Sequence, residues 1–238
     1  MRDEWLRAVE LRRNRIESYD EYPFNLPAVR GLESIEFERP VTYFVGENGS
    51  GKSTLIEAIA IKWGFNAEGG STSFRFSTTE SHSQLHDHLR LVRAPHRPSD
   101  GFFLRAESFF NLATQVDELG VSGYGVKSLH AQSHGESFLT LMMERFRGDG
   151  LYILDEPEAA LSPNRQLSMI ARMHQLVRDA SQFLIATHSP ILMAYPDATI
   201  LSCDGEGIHE VAYEETEQYT VTRDFLNHRR AMLKELLE

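Results

Sequence analysis

Cysteine occurs once in this sequence, at Cys203, so the chain cannot form an internal disulfide. That suits a reducing compartment such as the cytosol, and Cys203 itself reads as an inert small residue on a strand. Long apolar runs are missing too. None approaches the ~20 residues that span a bilayer, and Met1-Arg2-Asp3-Glu4-Trp5 lacks the apolar core of a signal peptide. Membrane insertion and export are therefore not expected, and any action at a membrane would depend on another chain. Basic residues are outnumbered, with 24 Lys and Arg against 35 Asp and Glu, for a net charge of −11. Such a balance argues against passive nucleic-acid binding over the whole surface, though it leaves room for a local basic groove. Internal repeats and low-complexity tracts are absent. The remainder is ordinary for a globular chain: 41% hydrophobic and 25% charged over 238 residues, enough for one large or two small domains with a sizeable core.

One stretch stands out. Val41-Thr42-Tyr43-Phe44-Val45 reads as a buried strand, and Leu55-Ile56-x-Ala58-Ile59 as a helix. Between them Gly46, Glu47, Asn48, Gly49, Ser50, Gly51, Lys52, Ser53 and Thr54 fit the phosphate-cradling pattern G-x-x-x-x-G-K-[ST]. The glycines let backbone N–H groups turn towards an anion with no Cβ in the way. Lys52 brings charge to the β- and γ-phosphates of a nucleotide, and the Ser53 hydroxyl can sit on Mg²⁺. The helix begins with its positive end at the phosphates.

Three further motifs follow in order. Ser133-His134-Gly135-Glu136-Ser137 caps an apolar helix, Phe138-Leu139-x-Leu141-Met142-Met143-x-x-Phe146; taken alone this is weak, since many helices begin with Ser. Leu151-Tyr152-Ile153-Leu154 is a buried strand ending in Asp155-Glu156. Carboxylates at that end of a parallel strand face the ligand crevice. Asp155 is suited to the Mg²⁺ shell and Glu156 to activating a water. Phe183-Leu184-Ile185-Ala186 is another buried strand, and His188 just beyond it can reach a γ-phosphate.

The rest of the chain is less specific. Leu6-x-x-Val9-x-Leu11 and Leu32-x-x-Ile35-x-Phe37 are strand-like, with the aromatic, turn-rich Tyr19-Asp20-Glu21-Tyr22-Pro23-Phe24 between them. One of these rings can stack on a nucleotide base; covering a sheet edge is an equal use. The helix after Lys52 closes near Trp63-Gly64. Residues 65–100 read as polar and turn-rich, with a strand-like Phe74-Arg75-Phe76. His82 and His86 have a metal-ligand spacing, but among so many Ser, Asp and Arg residues a solvated surface is the better reading. Phe102-Phe103-Leu104 is a short strand, and a helix opens at Ser108 and ends near Gly120. Ser162 as N-cap and Pro163 start a helix that runs to about Asp179. A hairpin pairs Thr199–Cys203 with Ile208–Val211. A final helix from about Thr222 packs on the body or on a partner.

The ordered set resembles the ATP-binding-cassette (ABC) type of ATPase over nearly the whole chain. Gly46–Thr54 looks like its Walker A loop and Leu151–Glu156 like Walker B with the catalytic Glu. Ala159-Ala160-Leu161-Ser162 resembles the D-loop, and His188 the switch histidine. Ser133–Ser137 stands where the family has Leu-Ser-Gly-Gly-Gln, with His134 for the first Gly and Glu136 for Gln. The D-loop ends in Ser162 where Asp is usual, and Glu107 is the candidate for the usual Q-loop glutamine. The resemblance implies an α/β P-loop NTPase with a mostly parallel central sheet flanked by helices, an antiparallel β portion and a small helical subdomain. It implies one domain over 1–238, with a variable β/loop insertion at about 65–105 and a helical subdomain at about 106–148. The implied activity is Mg²⁺-dependent ATP hydrolysis, with Lys52, Glu156 and His188 catalytic and Ser53 and Asp155 on the metal. The implied assembly is an ATP-dependent homodimer, in which Ser133, His134, Gly135 and Glu136 of one copy face the nucleotide of the other.

Within that family the Walker A helix and Ala186-Thr187-His188-Ser189-Pro190 look closer to the chromosome-maintenance, recombination-repair and predicted AAA-type prokaryotic ATPases than to transporter subunits. Too few positions separate Lys52 from Ser133 for a coiled-coil arm, and too few follow His188 for an appended nuclease domain. A bare cytoplasmic ATPase head is expected, its protein or nucleic-acid partner left open. The alternatives are a nucleotide-gated switch with little turnover and the ATP-binding subunit of a transporter.

Overall fold

The computed structural model describes residues 4–71, 83–106 and 134–238, with backbone alone at 134–136. Six strands form the main sheet, in the order β5-β6-β7-β3-β8-β9: β3 (Val41–Val45), β5 (Asp100–Arg105), β6 (Gly150–Asp155), β7 (Gln182–Ala186), β8 (Thr199–Asp204) and β9 (Gly207–Glu210). The first five run parallel, and β9 returns antiparallel from the tight turn after β8. β3, β6 and β7 are buried along their whole length, as strands covered on both faces require. Their side chains alternate. Tyr43, Tyr152, Leu154, Phe183 and Ile185 enter one core. Phe44, Leu151, Ile153, Leu184 and Ala186 enter the other.

The first core is closed by α3 (His134–Arg145), α4 (Pro163–Arg178) and the short α5 (Pro190–Met193). The second is closed by α1 (Pro27–Arg30), α2 (Lys52–Trp63) and a three-stranded antiparallel sheet, β2-β1-β4: β1 (Leu6–Leu11), β2 (Ser34–Glu36) and β4 (Leu89–Arg93). Gln182 binds the two sheets together. Fully buried, it exchanges two 2.9 Å hydrogen bonds with the backbone of Leu6, donating to its carbonyl and accepting from its N–H. Trp5 Nε1 adds a bond to the Ala180 carbonyl at 2.8 Å.

Several expectations shift. Within 65–105, read as an insertion, β4 completes the antiparallel sheet and β5 is an edge of the main sheet. Phe74–Phe76, the helix after Ser108, Glu107 and His82 lie outside the described residues. Ser162 stands at the N-cap of α4, but its side chain makes no cap bond. The last helix, α6 (Glu217–Leu237), starts earlier than expected. Thr216 caps it, accepting from Tyr219 N–H at 3.4 Å, and it bends at His228. No helix among the described residues is long and apolar enough to cross a membrane.

Candidate functional site

The turn between β3 and α2 is shaped by what surrounds it. Gly46 adopts φ +137, and a Cβ there would stand 2.2 Å from the Cys203 carbonyl oxygen, so only glycine fits between β3 and β8. Gly51, at φ +101, lies against Leu26 and Ala28 and turns the chain into α2. The loop is tied to α1 by the Ala28 N–H on the Ser50 carbonyl at 2.9 Å. Glu47, Asn48 and Gly49 stand exposed, and Thr54 lies on the first turn of α2. Lys52 is buried under the loop, its Nζ donating to the carbonyls of Gly46 and Glu47 at 2.9 and 2.8 Å. Burial pulls its ammonium below the ordinary lysine value, opposed by Cys203 and the carboxylates of Glu156, Asp155 and Glu158.

The pairing of β6 with β7 and of β7 with β3 brings the other motif residues to the same edge. Ser53 Oγ donates to Asp155 Oδ1 at 2.9 Å. A hydroxyl and a carboxylate are the hard oxygen donors that Mg²⁺ takes, so the side chains fit that ion. Asp155 Oδ2 faces Arg105 Nε at 3.6 Å, and Arg105 also pairs with the buried Glu57 of α2. Glu156 takes a left-handed backbone, φ 51 and ψ 50, with its N–H on the Ala186 carbonyl at 2.9 Å. Its Oε1 lies 3.7 Å from His188 Nε2. Lys52, Ser53, Asp155, Glu156 and His188, distant in sequence, thus meet at the C-terminal ends of β3, β6 and β7.

Ser133 lies outside the described residues. His134, Gly135 and Glu136 are described by backbone, as the first turn of α3. Among the aromatic candidates Tyr22 stands beside the loop: it is 62% exposed, with its hydroxyl 3.5 Å from Thr54 Oγ1. Phe24 is taken up by an edge-on contact with His88, and Tyr19 by Arg13. His86 is bonded to the Ser83 carbonyl and faces Asp87. No cluster of three His, Cys, Asp or Glu residues suited to a metal occurs among the described residues. A cavity of 540 Å³ borders Gly46–Ser50 on the other side, towards β8 and β9. Its lining also includes Asp204, His209, Glu215 and Glu217.

Arg105, Glu57, Glu158 and Gln166 belong to the same neighbourhood and carry no motif in the sequence. Arg105 had one legible signal, its place at the end of a strand, where it is in register with Asp155.

A family profile described as an AAA domain matches residues 16–89. No curated protein matches the sequence. Among solved structures, CbiO1 from Clostridium perfringens, described as part of the ABC transporter complex CbiONQ, is 17% identical; the match covers 98% of this chain and 100% of that one, with a TM-score of 0.52. MJ1267, described as an ATP-binding cassette of an ABC transporter, is 19% identical over 94% of this chain and 96% of that one, with a TM-score of 0.51. At such identities the likeness is one of fold.

Proposed function

From a chain that has the fold of the ABC ATPases, we propose an Mg²⁺-dependent ATPase head that binds ATP on Gly46–Thr54, hydrolyses it, and pairs with a second copy while ATP is bound. The observation that carries this reading is the 2.9 Å contact between Ser53 and Asp155, with Glu156 and His188 beside it. Ser53 and Asp155 would hold Mg²⁺, which when bound neutralises phosphate charge. The loop N–H groups and Lys52 counter the negative charge that builds on the phosphoryl oxygens in the transition state. Glu156 orients a water and takes its proton as the water oxygen bonds to the γ-phosphorus and the bond to the β-phosphate bridge breaks. His188, 3.7 Å from Glu156, is suited to the departing phosphate. Tyr22, exposed beside Thr54, is the candidate for the base. Ser133, His134, Gly135 and Glu136 of the second copy would complete the site, and the pairing would drive a process in a partner protein or nucleic acid.

Glu156→Gln tests the assignment. It should leave ATP binding intact, reduce phosphate release by at least ~100-fold, and trap an ATP-dependent dimer in size-exclusion chromatography. Turnover at the wild-type rate in this variant would remove Glu156 as the base. A wild-type protein that pairs with ATP but releases no phosphate would favour the nucleotide-gated switch instead.

A further inference from the structure

The turn after β7 is held by side chains outside the motifs. Glu158 lies two residues past Glu156, in the 3₁₀ turn Pro157–Ala160. Its Oε1 accepts the backbone N–H of His188 at 2.5 Å, while its Oε2 is buried without a partner. On the other side of His188, the buried Ser189 donates from Oγ to Gln166 Oε1 at 2.5 Å. The same Oγ accepts from the N–H groups of Ile191 and Leu192, capping α5. Gln166, on α4, donates from Nε2 to the Leu161 carbonyl at 3.1 Å. His188 is therefore gripped through its backbone from before and after. Its ring Nε2 makes no hydrogen bond and lies 3.7 Å from Glu156 Oε1. The backbone bonds fix where the His188 side chain departs from the chain, and so which of its rotamers reach Glu156.

We propose that Glu158 and Gln166 are positioning residues for His188. They fix the Thr187–Ser189 turn so that the ring stays beside Glu156. They also tie that turn to the chain at Glu158 and at Leu161, beside and within the D-loop-like segment 159–162, so that a shift there moves the histidine. Glu158 is a better clamp than a neutral side chain, because a bond from an N–H to a carboxylate is stronger than one to an amide. The inference rests on the reading of Glu156 and His188 as parts of a hydrolytic site.

The test compares wild type with E158A, E158Q and Q166L. Two readouts are taken: phosphate release against ATP concentration, and ¹H–¹³C spectra of histidine-labelled protein without nucleotide. E158Q keeps an acceptor for the His188 N–H; E158A removes it. E158A should lower kcat at least ~10-fold with KM for ATP within about 3-fold, and E158Q should recover to within about 3-fold of wild type. Q166L should fall between them, and the His188 ring signal should move in E158A and Q166L but not in E158Q. A wild-type kcat in E158A, or equal loss in E158A and E158Q, overturns the proposal. If E158A does not fold, Q166L carries the comparison, and an unmoved ring signal with unchanged kcat overturns it. If the wild-type protein releases no phosphate, the hydrolytic reading fails and the ring signal alone decides: no movement in E158A overturns the positioning role.

Discussion

Glu156 sits where backbone and chemistry conflict. A left-handed conformation costs a residue with a Cβ roughly 1–2 kcal/mol, part of which glycine would give back in chain entropy. Here it is imposed by the turn from β6 into Pro157 and by the bond to Ala186. The side chain is partly exposed; it faces His188 and lies within electrostatic reach of Lys52. Strain kept at such a position is a sign of function. Glu156→Gly should thus be no less stable than wild type, and up to about 1 kcal/mol more stable, in urea unfolding, while phosphate release is lost. At this scale the loop, Asp155 and His188 were legible, because each is a residue type fixed at the end of a recognisable strand. Glu158 and Gln166 were not. Their roles arise from contacts 30 and 23 positions apart that exist only once β7 has folded beside β6.

Among the elements, those with the strongest local pattern were the ones legible from sequence. β3, β6 and β7 are buried throughout and mostly apolar because both faces are covered. β4, Leu89–Arg93, escaped notice: its burial alternates imperfectly and two of its five residues are arginines, as an outer strand permits. The start of α6 was placed late because Thr220, Val221 and Thr222 are weak helix formers, and the Thr216 cap outweighs them. Helix α3 is anchored by a group that the sequence showed only as a turn signal, Asp100. Burial pushes its carboxyl up, but the Arg145 guanidinium, the Arg147 N–H and the Tyr152 hydroxyl outweigh that and hold it below the ordinary value. A carboxylate with a depressed folded-state pKa stabilises fully above its unfolded value, and this is lost as pH falls through the folded one. Asp100→Asn should cost about 1–3 kcal/mol at pH 7. The gap between variant and wild type should shrink as pH falls from about 5 towards 2, read as urea midpoints across pH.

For the whole molecule, the net charge of −11 bears on assembly. Two copies brought together repel, and at 0.1 M salt that repulsion is screened beyond about 10 Å. With Glu156→Gln and MgATP, the dimer fraction measured by analytical ultracentrifugation should rise as salt increases from about 0.01 to about 0.15 M. A fall would mean that opposite charges meet directly across the interface. The overall architecture was legible through the resemblance that the ordered motifs carry, which implied the mostly parallel sheet. How the first forty residues join it was not, because a buried glutamine carries no signature.

That glutamine has a mechanical consequence. The Gln182 amide carries the same donor and acceptor as a peptide unit, so β7 keeps both of its sheet neighbours and still serves β1 as a third strand would. Peeling the N-terminal sheet away would exchange those two buried bonds for bonds to water, about 0.5–1.5 kcal/mol each, and would also expose Leu6, Val9 and Leu11. The outer sheet should therefore not fray ahead of the main one, and a single coincident transition is expected when heat unfolding is followed by probes in both sheets.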